Sequence, residues 1–181
     1  MGVNLIESLR FYSDLQLANQ VQMRFPKYCE AHPSKSQALL DTYRSQLLGN
    51  SVFITPSLLP DVYEIFNHCI CRVQKFGELR AGSLYVQQDQ NYNARVINDG
   101  TRFDVVLNSS LLTDFSNGEL CFVLGHEIGH ILFGHNMISV SEVLNDFYSS
   151  APTDSSEPAE LDLLLRWARA SEISADRIGV L

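Results

Sequence analysis

His126-Glu127-Ile128-Gly129-His130 lies between two apolar runs, Leu120-Cys121-Phe122-Val123-Leu124 and Ile131-Leu132-Phe133. The pattern is H-E-x-x-H, and helix geometry explains its spacing. Residues four apart share one helical face, about 6 Å apart along the axis at roughly 1.5 Å per residue. Two imidazoles placed in this way can hold one metal ion at about 2.0–2.1 Å each. Glu127 stands beside the first histidine, where a carboxylate can take the proton of a water on that ion. Two nitrogens and an open position suit zinc, which takes a third protein ligand and a water. The competing reading is a packed or solvated histidine pair. The flanks weigh against it, because two histidines and a glutamate in so apolar a helix are costly to bury without partners. A metal is such a partner.

The third ligand has to come from elsewhere. The longer pattern H-E-x-x-H-x-x-G-x-x-H needs glycine where this chain has Phe133 and histidine where it has Asn136. His135 is out of register: five residues after His130 it stands about 500° further round the helix. It reads as a polar residue near the helix end. The better source is Ser171-Glu172-Ile173-Ser174-Ala175-Asp176-Arg177. Glu172 and Asp176 are four apart and face the same way on a helix. One carboxylate can bind the metal while the other accepts a hydrogen bond from the remote nitrogen of a ligand histidine. Without the upstream motif, the same pair would read as a solvated helix face.

His126-Glu127-Ile128-Gly129-His130 followed by Glu172-Ile173-Ser174-Ala175-Asp176-Arg177 resembles the gluzincin family of the membrane protease HtpX and the CAAX-prenyl endopeptidase. Those proteins pair H-E-x-x-H with a later E-x-x-A-D motif. The likeness implies that His126, His130 and Glu172 are zinc ligands, that Glu127 is the general base, and that Asp176 orients a ligand histidine. Tyr92-Asn93-Ala94, the stretch 103–108, Ser109-Ser110-Leu111-Leu112 and Glu119-Leu120 extend the resemblance more loosely. It runs from roughly Val52 to the end. It implies an α+β fold: a mainly helical, zincin-like metallopeptidase domain with a small antiparallel sheet.

A chain of 181 residues is one domain's worth, long enough for a sizeable core. The hydrophobic fraction of 45% and charged fraction of 19% are those of a globular protein. A net charge of −8 argues against nucleic acid or an anionic membrane surface as partner. No run of about 18 apolar residues is present, so no transmembrane segment is expected. The start, Met1-Gly2-Val3-Asn4-Leu5-Ile6-Glu7, lacks the pattern of a signal peptide. These traits set the chain apart from the membrane-embedded branches and bring it near soluble bacterial members. Cys69 and Cys71 are two apart, which fits neither a C-x-x-C redox pair nor a zinc knuckle. With Cys29 and Cys121 they read as thiols of a cytoplasmic protein.

Residues 1–50 read as an N-terminal helical segment and 51–181 as the catalytic domain. Leu5, Leu9, Tyr12 and Leu15 predict an amphipathic helix over 4–22, broken at Phe25-Pro26. A second helix is predicted over 36–48, stopped by Gly49. Thr55-Pro56-Ser57 reads as the entry to a helix whose apolar face is Val62, Ile65, Phe66, Cys69 and Val73, capped by Gly77. His68 on that helix reads as structural. Strands are predicted at 83–86, 94–96 and 103–107, with Asn98-Asp99-Gly100 turning the last two into a hairpin. A strand just before the zinc helix can lie at the cleft edge and hold an extended peptide. A short helix over 141–148, a loop over 149–158 and a long final helix carrying Glu172 complete the chain.

That last helical pattern is still running at Ile178-Gly179-Val180-Leu181, where the sequence stops. The expectation is a catalytic domain cut short at its C-terminal end, with no histidine, arginine or tyrosine after Arg177 to stabilise an oxyanion. Two functions follow. One is a zinc metalloendopeptidase, using one Zn2+ and acting on peptide or protein. The other is a metal-binding or partner-binding domain without turnover, its site incomplete in this chain. Glu127 favours the enzyme, since purely structural zinc needs no base.

Overall fold

The computed structural model describes residues 5–30, 35–98, 101–149 and 157–181. Its centre is a four-stranded sheet: β1 (Ser51–Phe53), β2 (Ala81–Gln87), β3 (Ala94–Asn98) and β4 (Arg102–Asn108), in the spatial order β1-β2-β4-β3. The sheet is mixed rather than purely antiparallel. β3 and β4 pair antiparallel, Ala94 opposite Leu107, as the predicted hairpin requires. β4, however, inserts between β3 and β2 and runs parallel to β2, with Leu84 opposite Val105. β1 escapes the sequence reading because only three residues pair. Asp99 and Gly100 of the predicted turn lie outside the described residues.

β4 shows why the sheet is two-sided. Phe103, Val105 and Leu107 point into the main core with Leu84, Phe66, Leu124 and Ile128. On the other face, Val106 packs with Tyr85 and Leu47. Asp104 is fully buried there, and Arg44 Nε at 2.9 Å and Arg102 Nη2 at 2.8 Å satisfy it. Alternation along the strand sends successive side chains to opposite faces.

The helices are α1 (Leu5–Leu9), α2 (Asp14–Arg24), α3 (Pro26–Glu30), α4 (Lys35–Asn50), α5 (Pro60–Val73), α6 (Ser109–Asp114), α7 (Asn117–Phe133), α8 (Val140–Ser149) and α9 (Glu157–Gly179). The single helix expected over 4–22 is two. The break before Asp14 changes the phase, so Leu17, Ala18 and Val21 are buried while Tyr12 and Leu15 are exposed. α4 passes through Gly49 and ends where β1 begins, with the Ser51 hydroxyl donating to the Leu47 carbonyl. Thr55 and Leu58 close a turn rather than opening a helix. α5 starts instead at Pro60, whose fixed φ suits a first helical position. Leu59 before it takes a left-handed φ of 56°. Gly77 does not cap α5, which ends at Val73 with Gln74 N–H donating to Ile70 O. Its missing Cβ makes room for Ile6 and Leu132.

α7 lies on the sheet, and α9 lies behind α7 in the most extensive interhelical contact. Beyond α9, a second cluster joins Leu17, Val21 and Phe25 with Val143, Leu164 and Trp167. α9 is therefore apolar on two sides. Leu164, Trp167 and Ala170 face α2 and α8, while Ala175 and Ile178 face α7. Among the described residues, no helix is long and apolar enough to cross a membrane.

Candidate metal centre

α7 begins with a capping box. Ser116 Oγ accepts from Glu119 N, and Glu119 Oε2 accepts from Ser116 N at 2.8 Å. It ends at Gly134, whose φ of 70° is the left-handed cap that glycine adopts without strain. Between these ends the helix presents His126 and His130 on one face, as their spacing requires. Gly125 and Gly129 form a smooth strip on the face toward α9. A Cβ on Gly129 would stand 3.0 Å from Ile178 Cβ, and one on Gly125 3.0 Å from Gly179 Cα. The two backbones approach closely because those side chains are missing.

That approach delivers Glu172 to the histidines. His126 Nε2 and His130 Nε2 are 3.0 Å apart. Glu172 Oε2 lies 3.4 Å from His126 Nε2, and its Oε1 lies 3.7 Å from His130 Nε2. A tetrahedral ion with bonds of about 2.0–2.1 Å has ligand atoms about 3.3 Å apart, and the three separations bracket that edge. Two imidazoles and a carboxylate are also the donor set of many catalytic zinc sites. These three residues form a group able to hold a metal ion. His126 turns its other nitrogen, Nδ1, to Asp176 Oδ1 at 2.9 Å.

Electrostatics follow this arrangement. Burial lowers the pKa of His126, but hydrogen bonds with Glu172 and Asp176 outweigh it and leave the imidazole above its ordinary value. Burial and the neighbouring His135 push His130 well below its ordinary range. The hydrogen bond from His126 holds Glu172 low against the effect of burial. For Glu127, burial pushes the carboxyl up to about 7 against the pull of His126, with Glu172 adding to the rise.

Glu127, His130 and Glu172 line a cleft of about 420 Å³ whose other walls include Ala94 and Val96 of β3 and Trp167 of α9. The strand expected at the cleft rim is the one just before α7, but that strand, β4, is interior to the sheet, and it is the edge strand β3 that lines the cleft. Trp167 Nε1 and Asn136 Oδ1 are buried with no hydrogen-bond partner, and both residues line the cleft. The stretch Asn91-Tyr92-Asn93 before β3 is tied to the end of β4: Asn108 Nδ2 and Ser110 Oγ both donate to Asn91 O, at 3.0 and 2.8 Å. This tie fixes where β3 enters the cleft.

His135 corrects the sequence reading. It does lie near the helix end, but it is buried, 7% exposed, in a 3-10 turn after Gly134, and it joins the site rather than standing apart from it. Its Nδ1 is 2.9 Å from His130 Nδ1 and its Nε2 is 2.9 Å from Asp14 Oδ2. Gly134 was the available signal: a left-handed residue ends the helix, so angles counted along it no longer apply to His135. Nothing in the sequence points to Asp14, 121 residues away. His68 is exposed on α5 and is not part of this cluster.

The chain belongs to peptidase family M48, whose family model matches residues 56–181. It is also similar to the plastoglobule-localized metallopeptidase 48, chloroplastic, of Arabidopsis thaliana, with 27% identity over 154 residues. That match covers 80% of this chain and 44% of the relative, so the chain spans less than half the length of the curated protein it matches.

Proposed function

We propose that this protein is a zinc-dependent metalloendopeptidase, with residues 51–181 as its catalytic domain and 1–50 as a helical addition. The observation that carries the reading is the meeting of His126, His130 and Glu172 beside Glu127, with Glu127, His130 and Glu172 lining an open cleft. Membership of a metallopeptidase family supports it. Zinc, when bound, supplies a Lewis acid for the scissile carbonyl and lowers the pKa of the attacking water toward about 7. The three ligands would hold that charge beside Glu127, and Asp176 would fix the His126 ring. Glu127 takes the proton of the attacking water and gives it to the leaving amine. Its raised pKa makes it a stronger base than an exposed carboxylate, although a nearby dication pulls that value back down. The substrate is a peptide or protein, with β3 as the edge along which an extended segment can pair. A cytoplasmic location belongs to the same proposal and rests on reading the four cysteines as free thiols.

Glu127→Gln tests the chemistry. It keeps the size and most hydrogen bonding but removes the base, so zinc content should match the parent while cleavage of a protein substrate falls by about 10²–10⁴-fold. Equal cleavage by parent and variant, both zinc-loaded, would refute the role of Glu127. Zinc bound with no cleavage by the full-length parent would favour a metal-binding domain without turnover.

A further inference from the structure

We propose that His135 and Asp14 are positioning residues of the metal site, which lock His130 in the one tautomer that frees its Nε2 for the ion. The proposal rests on the zinc reading above. It brings the N-terminal helix α2 into the outer shell of a site that the family match, beginning at residue 56, leaves entirely to the rest of the chain.

The argument is an accounting of protons. His130 faces His126 and Glu172 through Nε2, so a metal held by these three takes that nitrogen's lone pair. A neutral imidazole that gives its Nε2 lone pair to a metal carries its proton on Nδ1. That Nδ1–H needs an acceptor, and the polar atom it meets is His135 Nδ1, at 2.9 Å. His135 Nδ1 therefore accepts, which places the His135 proton on Nε2. Nε2 lies 2.9 Å from Asp14 Oδ2, so the chain of donors ends on a carboxylate.

Asp14 is itself fixed. It is completely buried, yet Arg10 Nε donates to Oδ2 at 2.8 Å and Ser174 Oγ donates to the same oxygen at 2.7 Å. Arg10 stacks over the Phe133 ring, 5.5 Å from its centroid, and Phe133 is the last residue of α7. Ser174 in turn lies between Glu172 and Asp176 on α9. One buried charge thus ties α2, the end of α7 and α9 together around His130. A histidine present only for packing would not need both ring nitrogens so aimed. His126 has its own carboxylate in Asp176. The His135–Asp14 pair gives His130 the equivalent, one ring further out. Partners of this kind fix ring orientation and raise the basicity of the ligand.

The test uses the full chain loaded with zinc. His135→Phe keeps a ring in the space and removes both hydrogen bonds. The zinc dissociation constant, from chelator competition, should rise by about 10–100-fold. His135→Gln places a carbonyl toward His130 and an amide toward Asp14, and should recover most of that loss. An unchanged constant in His135→Phe overturns the proposal, as does a His135→Gln as weak as His135→Phe. Long-range nitrogen–proton NMR spectra of the zinc-loaded parent decide the matter even if His135→Phe fails to fold. His130 should show its proton on Nδ1 and His135 on Nε2, and a proton on His135 Nδ1 would overturn the relay. If the parent itself binds no zinc, the zinc reading fails first and the relay falls with it. Zinc in the parent with a wrong tautomer sinks the relay alone.

Discussion

Gly129 sits so near Ala175 that a Cβ on the glycine would lie 3.1 Å from the Ala175 Cα and 3.2 Å from its carbonyl oxygen. Backbone cannot step aside as a flexible side-chain end does, so Gly129→Ala must move α7 away from α9. Overpacking of this kind costs about 1–3 kcal/mol. In a chain of this size that is about 2–4 °C of melting temperature for each kcal/mol. The shift also carries Glu172 away from His130, so zinc affinity should fall even where the fold survives. Thermal unfolding of the metal-free protein and chelator competition on the loaded one measure the two effects separately. Unchanged values in both would mean that the close approach has no bearing on the site.

His126→Ala, His130→Ala and Glu172→Ala should each sharply reduce bound zinc. His68→Ala, on an exposed face of α5, should not. Elemental analysis after exhaustive dialysis reads the difference directly. Asp176→Ala should leave zinc bound but weaken it by about 10–100-fold, since it removes the partner of His126 Nδ1 at 2.9 Å without removing a ligand. An unchanged dissociation constant would return Asp176 to a solvated helix face.

Asp14 predicts an acid-sensitive fold. Burial raises its carboxyl, but hydrogen bonds from His135, Arg10 and Ser174 bring the net pKa well below the ordinary carboxylate range. A group depressed in the native state stabilises the fold above its unfolded pKa, about 3.9. That contribution is lost as pH falls through the lower native value. In the metal-free protein, the unfolding free energy of the parent should therefore exceed that of Asp14→Asn at neutral pH. The gap should shrink as pH falls below about 4. Urea titrations at several pH values would show it, and a gap constant down to strong acid would contradict the assignment.

The thiols differ in reactivity. Burial, then the hydrogen bond and charge of Cys121, push Cys69 far above an ordinary thiol, and only the thiolate is nucleophilic. Cys71, two residues on, is exposed. Iodoacetamide should label Cys71 well before Cys69, as timed mass spectrometry would register. Faster labelling of Cys69 would mean that α5 opens from α7 far more readily than its packing implies.

What the sequence reveals about this site is what helix periodicity can carry. His126 with His130, and Glu172 with Asp176, are each four apart, so each pair shares a face before any tertiary contact is known. Ser116 and Glu119 likewise mark the start of α7. Contacts between elements carry no such signature. Asp14 meets His135 across 121 residues and Ser174 across 160, and of its partners only Arg10, four residues before it, stands at a spacing the sequence could reveal. The sheet is legible only in part for the same reason. Alternation predicts β4 and its hairpin partner, but the parallel pairing of β2 with β4 depends on the chain passing over β4 on its way to β3. The apolar period of Leu5, Leu9, Tyr12 and Leu15 continues through the break before Asp14, a break that only packing reveals.

The bond from Ser174 to Asp14 spans 160 residues, and that distance has a consequence in time. Contacts far apart in sequence form slowly, because a long loop must close before they reward it. α7, with both histidines, can take shape as soon as its own stretch leaves the ribosome, at about 5–20 residues per second. Glu172, and the Ser174 that holds Asp14, emerge only afterwards. A half-made chain would thus hold a histidine pair without its carboxylate. Refolding followed by zinc uptake should lag behind refolding followed by helix content, because the three metal-facing side chains meet only once α9 has docked on α7.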